Sequence, residues 1–187
     1  MVGSLLYLTA SRPDIMFSVY VYARFQVRPN EVHLQAVKRI LRYLKGIANL
    51  GINFYRSQKF SLLGYCDADY AGDKWERKST SGGCHFLGCC LVSWTSKRQN
   101  TIALSTCEAE YVAAGQCLTQ LLVLCDNTVA INISKNPVLH SRTKHIEIKH
   151  HFIRDHVQKG MFELIYVKIE KQLADIFTKT LQEDRYV

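Results

Sequence analysis

The sequence predicts a mixed α/β fold in which a helical extension precedes a central sheet. Up to about residue 48 the apolar residues recur with the spacing of an amphipathic helix, and from about residue 51 they alternate as in a strand. After a short first strand, the predicted elements of the second part follow one another in the order βββαβααβα, so helical crossovers must connect its parallel strands. We therefore expect a helical part (1–50) followed by a sheet-containing part (51–187).

The helical part contains two predicted helix starts. Ser11 is expected to cap one helix, with Pro13 in its first turn. Asn30 is expected to cap a second helix, which ends near Gly46. The apolar stripe that would pack this second helix consists of Val37, Ile40, Leu41 and Leu44.

The opposite face of the second helix is basic. Lys38, Arg42 and Lys45 follow one another at intervals that place them on one side of a helix. A solvated surface explains such a row without any function, and a strip that contacts backbone phosphates is the functional alternative. The chain has 24 Lys and Arg against 16 Asp and Glu, a net charge of +8. This excess predicts a polyanionic partner.

The sheet-containing part begins with four predicted strands, of which the last two form a hairpin around Gly88. They cover 52–55, 61–66, 84–87 and 91–95, with a polar turn at 73–82. Ser105 and Glu108 have the spacing of a capping box, so a helix is expected to begin there and to run to about Gln116. The remaining elements are expected as a strand at 121–125, helices at 128–134 and 145–158, a strand at 162–167 and a closing helix at 172–181.

Four acidic residues are candidates for one shared site. Asp67 and Asp126 are predicted to follow buried strands, whereas Glu110 and Asp175 are predicted to lie on helices. A carboxylate at the end of a core strand is costly unless a partner compensates its charge. Ligands that are all oxygen atoms favour Mg²⁺ or Mn²⁺ over zinc. Two such ions would neutralise four carboxylates and serve an in-line displacement at phosphorus. Taken singly, each acid is equally well explained as a helix cap or a surface charge.

The motifs around these acids resemble the ribonuclease H domain of copia-type LTR retrotransposon Pol polyproteins. They are YCDADYAGD at 65–73, KSTSG at 78–82, ALSTCEAEY at 103–111, CDN at 125–127, SRTKHIEI at 141–148 with HFIR at 151–154, and QLADIFTK at 172–179. The helical segments at 5–15 and 36–46 resemble the end of the preceding reverse transcriptase. The resemblance covers nearly the whole chain.

This resemblance implies a ribonuclease H-like fold with a mixed five-stranded sheet and an endonuclease that cuts the RNA strand of RNA–DNA hybrids. It implies that two Mg²⁺ or Mn²⁺ ions are held by Asp67, Glu110, Asp126 and Asp175. The expected partners are the hybrid and the rest of a reverse transcriptase. The residues expected to contact nucleic acid are Lys38, Arg42, Lys45, Ser79, Thr80, Asn127, Arg142 and Lys144.

The segment between Glu110 and Asp126 departs from the family, which usually has a longer helix, a loop and a full strand there. A crossover needs at least about 10 to 12 residues, so 107–120 is just long enough. We expect this internal deletion, between 111 and 125, to expose apolar surface and to threaten the position of Asp126. The alternative function is therefore a catalytically dead ribonuclease H-like remnant that binds nucleic acid or is vestigial.

Other features bear on location. The chain has no apolar run of 18 residues, so no membrane span is predicted. Its first residues lack the basic region and the small-residue cleavage site of a signal peptide. Seven cysteines, several of them in apolar segments, are expected to be reduced thiols of the core. These features predict an intracellular protein of the cytoplasm or the nucleus.

Overall fold

A computed structural model describes residues 1–56, 60–117, 122–135, 151–160 and 163–179 of the chain. In chain order its elements are α1 (Val2–Leu8), α2 (Met16–Ala23), α3 (Glu31–Gly46), β1 (Leu62–Asp69), β2 (Thr80–Leu87), β3 (Cys90–Arg98), α4 (Thr106–Cys117), β4 (Leu122–Cys125), α5 (Thr128–Lys135), α6 (His151–Gln158) and β5 (Glu163–Tyr166). Short 3-10 helices cover Pro13–Ile15, Ile169–Lys171 and Asp175–Phe177.

The five strands form one mixed sheet in the order β3-β2-β1-β4-β5. The pairs β1–β2 and β2–β3 are antiparallel, whereas β4 runs parallel to β1 and β5 runs parallel to β4. Helical connections lead into β4 and β5, as parallel pairing requires. The fold class expected from the sequence, a mixed five-stranded ribonuclease H-like sheet flanked by helices after a helical extension, is confirmed.

The main core lies between the sheet and helices α4, α5 and α6. Cys66, Val123 and Leu164 come from three neighbouring strands and are almost fully buried against Tyr111 of α4. Helices α4 and α6 are in close contact at Gly115. A Cβ atom added at this glycine would lie only 2.9 Å from the Cδ1 atom of Ile153. These described residues beneath α4 are buried, and the exposure of apolar surface that we expect from the shortened crossover stays a prediction.

The helical extension has a core of its own, formed by Leu5, Ile15, Val19, Val37 and Ile40. Asn30 caps α3 as predicted, since its Oδ1 accepts a hydrogen bond from the backbone N of His33 at 3.1 Å. The extension also contacts the sheet: the Trp94 indole N–H donates to the carbonyl of Thr9 at 2.8 Å. The division of the chain near residue 50 stays a prediction, and the two parts are in contact.

Two predictions for the extension are wrong. Ser11 does not cap a helix, because its hydroxyl donates backward to the Leu8 carbonyl at 3.2 Å and the next 3-10 helix begins after Arg12. Leu41 is not part of the buried stripe, since 42% of it is exposed. No helix among the described residues is long and apolar enough to span a bilayer.

Three predicted elements of the second part also differ. Residues 52–55 form no strand, because Phe54 and Tyr55 are exposed and the Tyr55 backbone hydrogen-bonds the Cys90 thiol instead of a ladder. Residues 80–82 belong to β2 rather than to a turn, because they pair with both β1 and β3. The described residues of the predicted closing helix, 172–179, contain only the 3-10 helix Asp175–Phe177. The part of the predicted helix 145–158 that precedes residue 151 lies outside the described residues.

Candidate metal centre

The two aspartates of the central strands meet at one edge of the sheet. Tyr65 of β1 pairs with Leu124 of β4 in the parallel ladder. Continuing that register by two residues places Asp67 opposite Asp126, on the same face of the sheet. Asp67 is 3% exposed, and Asp126, just beyond the end of β4, is half-buried. The structure therefore brings these predicted site residues together despite the shortened crossover.

Glu110 reaches the same edge from α4. One carboxylate oxygen, Oε1, accepts a hydrogen bond from the backbone N of Ala68 at 3.2 Å. The other oxygen, Oε2, is buried and has no hydrogen-bond partner among the described residues. Ligand atoms of Glu110, Cys125 and Asp126 all lie within 4.8 Å of one another. The α4 helix thus delivers a carboxylate to the strand that carries Asp67 and to the end of β4.

Asp175 approaches from the C-terminal segment. It lies in a 3-10 helix and is 2% exposed. The ammonium group of Lys179 lies 3.0 Å from its Oδ1 atom. The hydroxyl of Thr178, fully buried, donates a hydrogen bond to Oδ2 of Asp67. These contacts attach the segment that carries Asp175 to the strand that carries Asp67.

The carboxylates raise one another's proton affinity. Burial raises the pKa of Glu110 to about 10, and the charge of Asp67 adds to the effect. Burial likewise raises the pKa of Asp67 to about 6, against the lowering effect of the Thr178 hydrogen bond and with a further rise from Asp175. The pKa of Asp126 is also raised, first by burial and then by Asp175. Cations bound at this site would favour the ionised form of these carboxylates.

The residues at this edge fit a divalent cation. Lys179 supplies a positive charge, and the surrounding carboxylates raise its pKa although burial opposes that rise. The buried Oε2 atom of Glu110 accepts no hydrogen bond from a described residue, so it is available to a cation. Carboxylate oxygens are the ligands that Mg²⁺ and Mn²⁺ prefer. The structure thus contains an acidic cluster that could hold a metal ion.

Several residues that position the carboxylates were missing from the sequence-based site. Gln172 donates its side-chain N–H to the carbonyl of Cys66 at 2.8 Å, and the nearby amide opposes the rise in the pKa of Asp126. Thr178 and Lys179 contact Asp67 and Asp175, as described above. The signal for these two lay in the QLADIFTK motif, where they follow Asp175 by three and four residues, the spacing that one helical turn brings together.

Gln99 is another residue that positions the site and that the sequence-based prediction did not include. The side-chain N–H₂ group of Gln99 donates to the Ser81 hydroxyl and to the Ala109 carbonyl, both at 2.9 Å. Gln99 is 1% exposed. It therefore fixes the start of α4, and with it Glu110, relative to β2. The sequence contains no local motif that singles it out.

The predicted nucleic-acid contacts in α3 lie at the surface. Lys38, Arg42 and Lys45 are exposed on the side of α3 that faces away from the helical core. Lys38 and Arg42 line a surface cleft of about 470 Å³ together with Arg39. This placement leaves all three side chains free to approach a phosphate backbone, and their role stays a prediction.

The other predicted contacts are placed differently. Ser79 is fully buried and its hydroxyl accepts a hydrogen bond from the backbone N of Ala71 at 3.1 Å, so it holds a turn, and its contact with nucleic acid stays a prediction. Thr80 is 4% exposed, in β2. Asn127 caps α5, since its Oδ1 accepts hydrogen bonds from the backbone N of Val129 and Ala130 at 3.0 Å. Arg142 and Lys144 lie outside the described residues, as does most of the histidine cluster at 140–151.

Relatives in sequence are Pol polyproteins of plant transposons. No protein-family model matches the chain. It is 42% identical over 203 residues to the retrovirus-related Pol polyprotein from transposon RE1 of Arabidopsis thaliana, a match that covers 99% of this chain and 14% of that protein. It is 37% identical over 203 residues to the corresponding polyprotein from transposon TNT 1-94 of Nicotiana tabacum, covering 99% of the chain and 15% of that protein. The chain thus spans about one seventh of the length of these relatives.

The same matches show that this chain lacks some positions of its relatives. The match with RE1 extends over 203 positions whereas the chain has 187 residues, so at least 16 positions have no counterpart here. Among solved structures, LC11-RNase H1, isolated from compost by a metagenomic approach, aligns with a TM-score of 0.45 and 16% identity, over 64% of this chain and 93% of that one. Likeness at that level assigns neither a site nor an activity to this chain.

Proposed function

This chain belongs to the copia-type retrotransposon Pol polyproteins as a ribonuclease H-like fragment, and we propose that it hydrolyses the RNA strand of RNA–DNA hybrids with divalent metal ions. One observation carries the proposal. Asp67 lies in β1, Asp126 directly follows the adjacent parallel strand β4, and the buried carboxylate of Glu110 lies beside Asp126. Phosphodiester hydrolysis by two metal ions needs carboxylates clustered in this way.

The four carboxylates would share the work of holding Mg²⁺ or Mn²⁺. Asp67, Glu110, Asp126 and Asp175 would be the ligands, and Oε2 of Glu110 would gain the partner that it lacks among the described residues. When bound, two such ions supply charge stabilisation and a nucleophilic water for in-line displacement. The Thr178 hydroxyl holds the Asp67 carboxylate in place, and Lys179 does the same for Asp175. Asp67 and Asp175 are therefore oriented by neighbours before any ion arrives.

The substrate would be held mainly through its backbone. The net charge of +8 and the exposed basic face of α3 support electrostatic contact with phosphates. The rest of a reverse transcriptase is a proposed partner, because the relatives are several times longer than this chain. Such a partner would extend the basic surface along the same hybrid.

A second candidate function is supported by the missing positions. At least 16 aligned positions of the RE1 polyprotein have no counterpart in this chain. If their loss keeps the cluster from binding metal, the chain would bind nucleic acid without cleaving it. The acidic cluster belongs to the sheet-containing part and the basic face to α3 of the helical extension, so one function could persist without the other.

A cleavage assay separates the two candidates. We expect an end-labelled RNA–DNA hybrid to be cut in the RNA strand with Mg²⁺ or Mn²⁺ and to stay intact with a chelator. Asp67→Asn should lower the cleavage rate by at least about a hundredfold. Mutating a residue that only orients a metal ligand already lowers activity about 10- to 100-fold, and this variant removes the ligand itself. Asp155→Asn, the same change at an exposed residue of α6, is the matched control and should leave the rate unchanged. A hybrid that is bound but never cut would favour the second candidate.

A further inference from the structure

A thiol stands beside the carboxylates of the candidate metal centre. Cys125 is the last residue of β4 and directly precedes Asp126. Its Sγ atom, one oxygen of Glu110 and one oxygen of Asp126 lie within 4.8 Å of one another. Three potential ligand atoms from two elements therefore converge on one point at the edge of the sheet.

An independent observation is that the Glu110 carboxylate of this group has one oxygen without a partner. Glu110 is 7% exposed, and its Oε2 atom is buried without a hydrogen-bond partner among the described residues. A buried carboxylate oxygen left without a partner is costly, and native proteins seldom tolerate it. A cation bound at this point would supply the missing interaction.

The chemistry of the three ligand atoms selects the kind of cation. Mg²⁺ is bound by oxygen and gains little from sulfur, whereas Zn²⁺ binds thiolate together with carboxylate. Four-coordinate zinc is satisfied by three protein ligands and a water. We propose that Glu110, Cys125 and Asp126 form a binding site for a thiophilic divalent cation, and that this cation is Zn²⁺. Binding releases the proton of the Cys125 thiol to solvent.

This site shares two of its ligands with the proposed Mg²⁺ site. Zn²⁺ therefore competes with Mg²⁺, and the thiolate gives it an advantage that Mg²⁺ does not have. Cys125 is fully buried, so the cation enters past the half-exposed Asp126. Inhibition of cleavage by Zn²⁺ rests on the proposed function, but binding of Zn²⁺ does not.

Cobalt titration of the full chain, free of nucleic acid, tests the binding. Co²⁺ replaces Zn²⁺ at tetrahedral sites, and coordination by sulfur gives a near-ultraviolet charge-transfer band. We expect the band to saturate at one equivalent of Co²⁺ and to disappear when Zn²⁺ is added. Cys125→Ser should abolish it, whereas Cys89→Ser, a change at an exposed thiol, should preserve it. Absence of the band in the unmutated protein, or its persistence in Cys125→Ser, would overturn the proposal.

A second variant keeps the test decisive if Cys125→Ser does not fold. Glu110→Gln retains the thiol and removes one charged ligand, so the band should remain while the Co²⁺ dissociation constant rises at least about tenfold. An unchanged dissociation constant would overturn the three-residue site. Because neither measurement uses a substrate, a protein without nuclease activity can still give the band, and an active nuclease can fail to give it. Failure of the zinc site and failure of the proposed function are thus distinguishable.

Discussion

The hydroxyl of Thr178 donates a hydrogen bond to the carboxylate of Asp67, although 111 residues separate the two in sequence. Both groups are buried. The same hydroxyl lies 3.1 Å from the carbonyl of Asp175. This contact joins the first strand of the sheet to the C-terminal segment and so determines how Asp67 and Asp175 face the candidate metal centre.

Thr178→Val is expected to weaken both stability and metal binding. The valine fills the same volume but leaves the Asp67 oxygen without its donor, and a hydrogen bond to a charged group is worth about 1.5–3 kcal/mol. The metal affinity should fall about 10- to 100-fold, as it does when other residues that orient metal ligands are changed. Denaturant unfolding and Mn²⁺ titration measure the two effects. The matched control is Thr128→Val at an exposed position of α5, where both quantities should stay near the unmutated values.

Asp67→Asn is expected to remove the stabilisation by Mg²⁺ without destabilising the metal-free protein. Mg²⁺ raises the melting temperature by binding only the folded state, and this variant loses a ligand. In the absence of metal the substitution relieves repulsion from Asp175 and Asp126. Thermal unfolding with chelator and with millimolar Mg²⁺ measures both effects. A full Mg²⁺ shift in the variant would show that Asp67 is not a ligand.

The stability of the metal-free protein is expected to fall as the pH rises. The pKa of Glu110 is raised from 4.5 to about 10 and that of Asp67 from 3.8 to about 6. The folded protein therefore binds more protons than the unfolded chain between these values, and its stability decreases through that range. Asp67 contributes to this decrease in stability up to about pH 6, and Glu110 contributes to it beyond that pH.

Melting temperatures in chelator between pH 5 and pH 9 provide the measurement. Glu110→Gln should flatten the dependence above pH 6, because the amide does not titrate. Added Mg²⁺ should flatten it as well, since bound cations favour the ionised carboxylates. A metal-free protein that becomes more stable toward pH 9 would contradict the placement of Glu110 in a buried acidic cluster.

Nucleic-acid affinity is expected to depend steeply on salt through the basic face of α3. Each neutralised phosphate of a duplex contributes about 0.9 to the slope of log affinity against log salt, so replacing Lys38, Arg42 and Lys45 by Ala should flatten the slope by nearly three units. Fluorescence anisotropy with a labelled hybrid in chelator gives the slope. The control replaces three exposed lysines elsewhere, Lys135, Lys159 and Lys168. Equal slopes for the two triple variants would identify the face as a solvated surface.

Local sequence signals predicted the elements that hold the site. The start of α4 was predicted within one residue because the capping box is a local device: the Glu108 backbone N donates to the Ser105 hydroxyl at 3.1 Å, and the Glu108 carboxylate accepts from the Leu104 backbone N at 2.7 Å. The adjacency of Asp67 and Asp126 followed from parallel pairing across a helical crossover. Both depend on residues close in sequence or on a general rule of topology.

Local sequence patterns could not predict contacts between residues that are far apart in the chain. The apolar alternation at 52–55 predicted a strand, but burial decides whether alternation becomes pairing, and Phe54 is 68% exposed. Ser79 lies in a polar motif that favours a surface contact, yet its hydroxyl is buried beneath the turn. The contact of Thr178 with Asp67 depends on the complete sheet. Propensity and motif spacing carry no information of this kind.

Anomalous diffraction from a crystal soaked in Mn²⁺ tests the central claim most directly. The claim is that Asp67 of β1 and Asp126, at the end of the adjacent parallel strand β4, hold divalent cations together with Glu110 and Asp175. The account predicts anomalous peaks within coordination distance of the Asp67 and Asp126 carboxylates in the unmutated protein, and their loss in Asp67→Asn. A fully soaked crystal with no peak between these two carboxylates would contradict it.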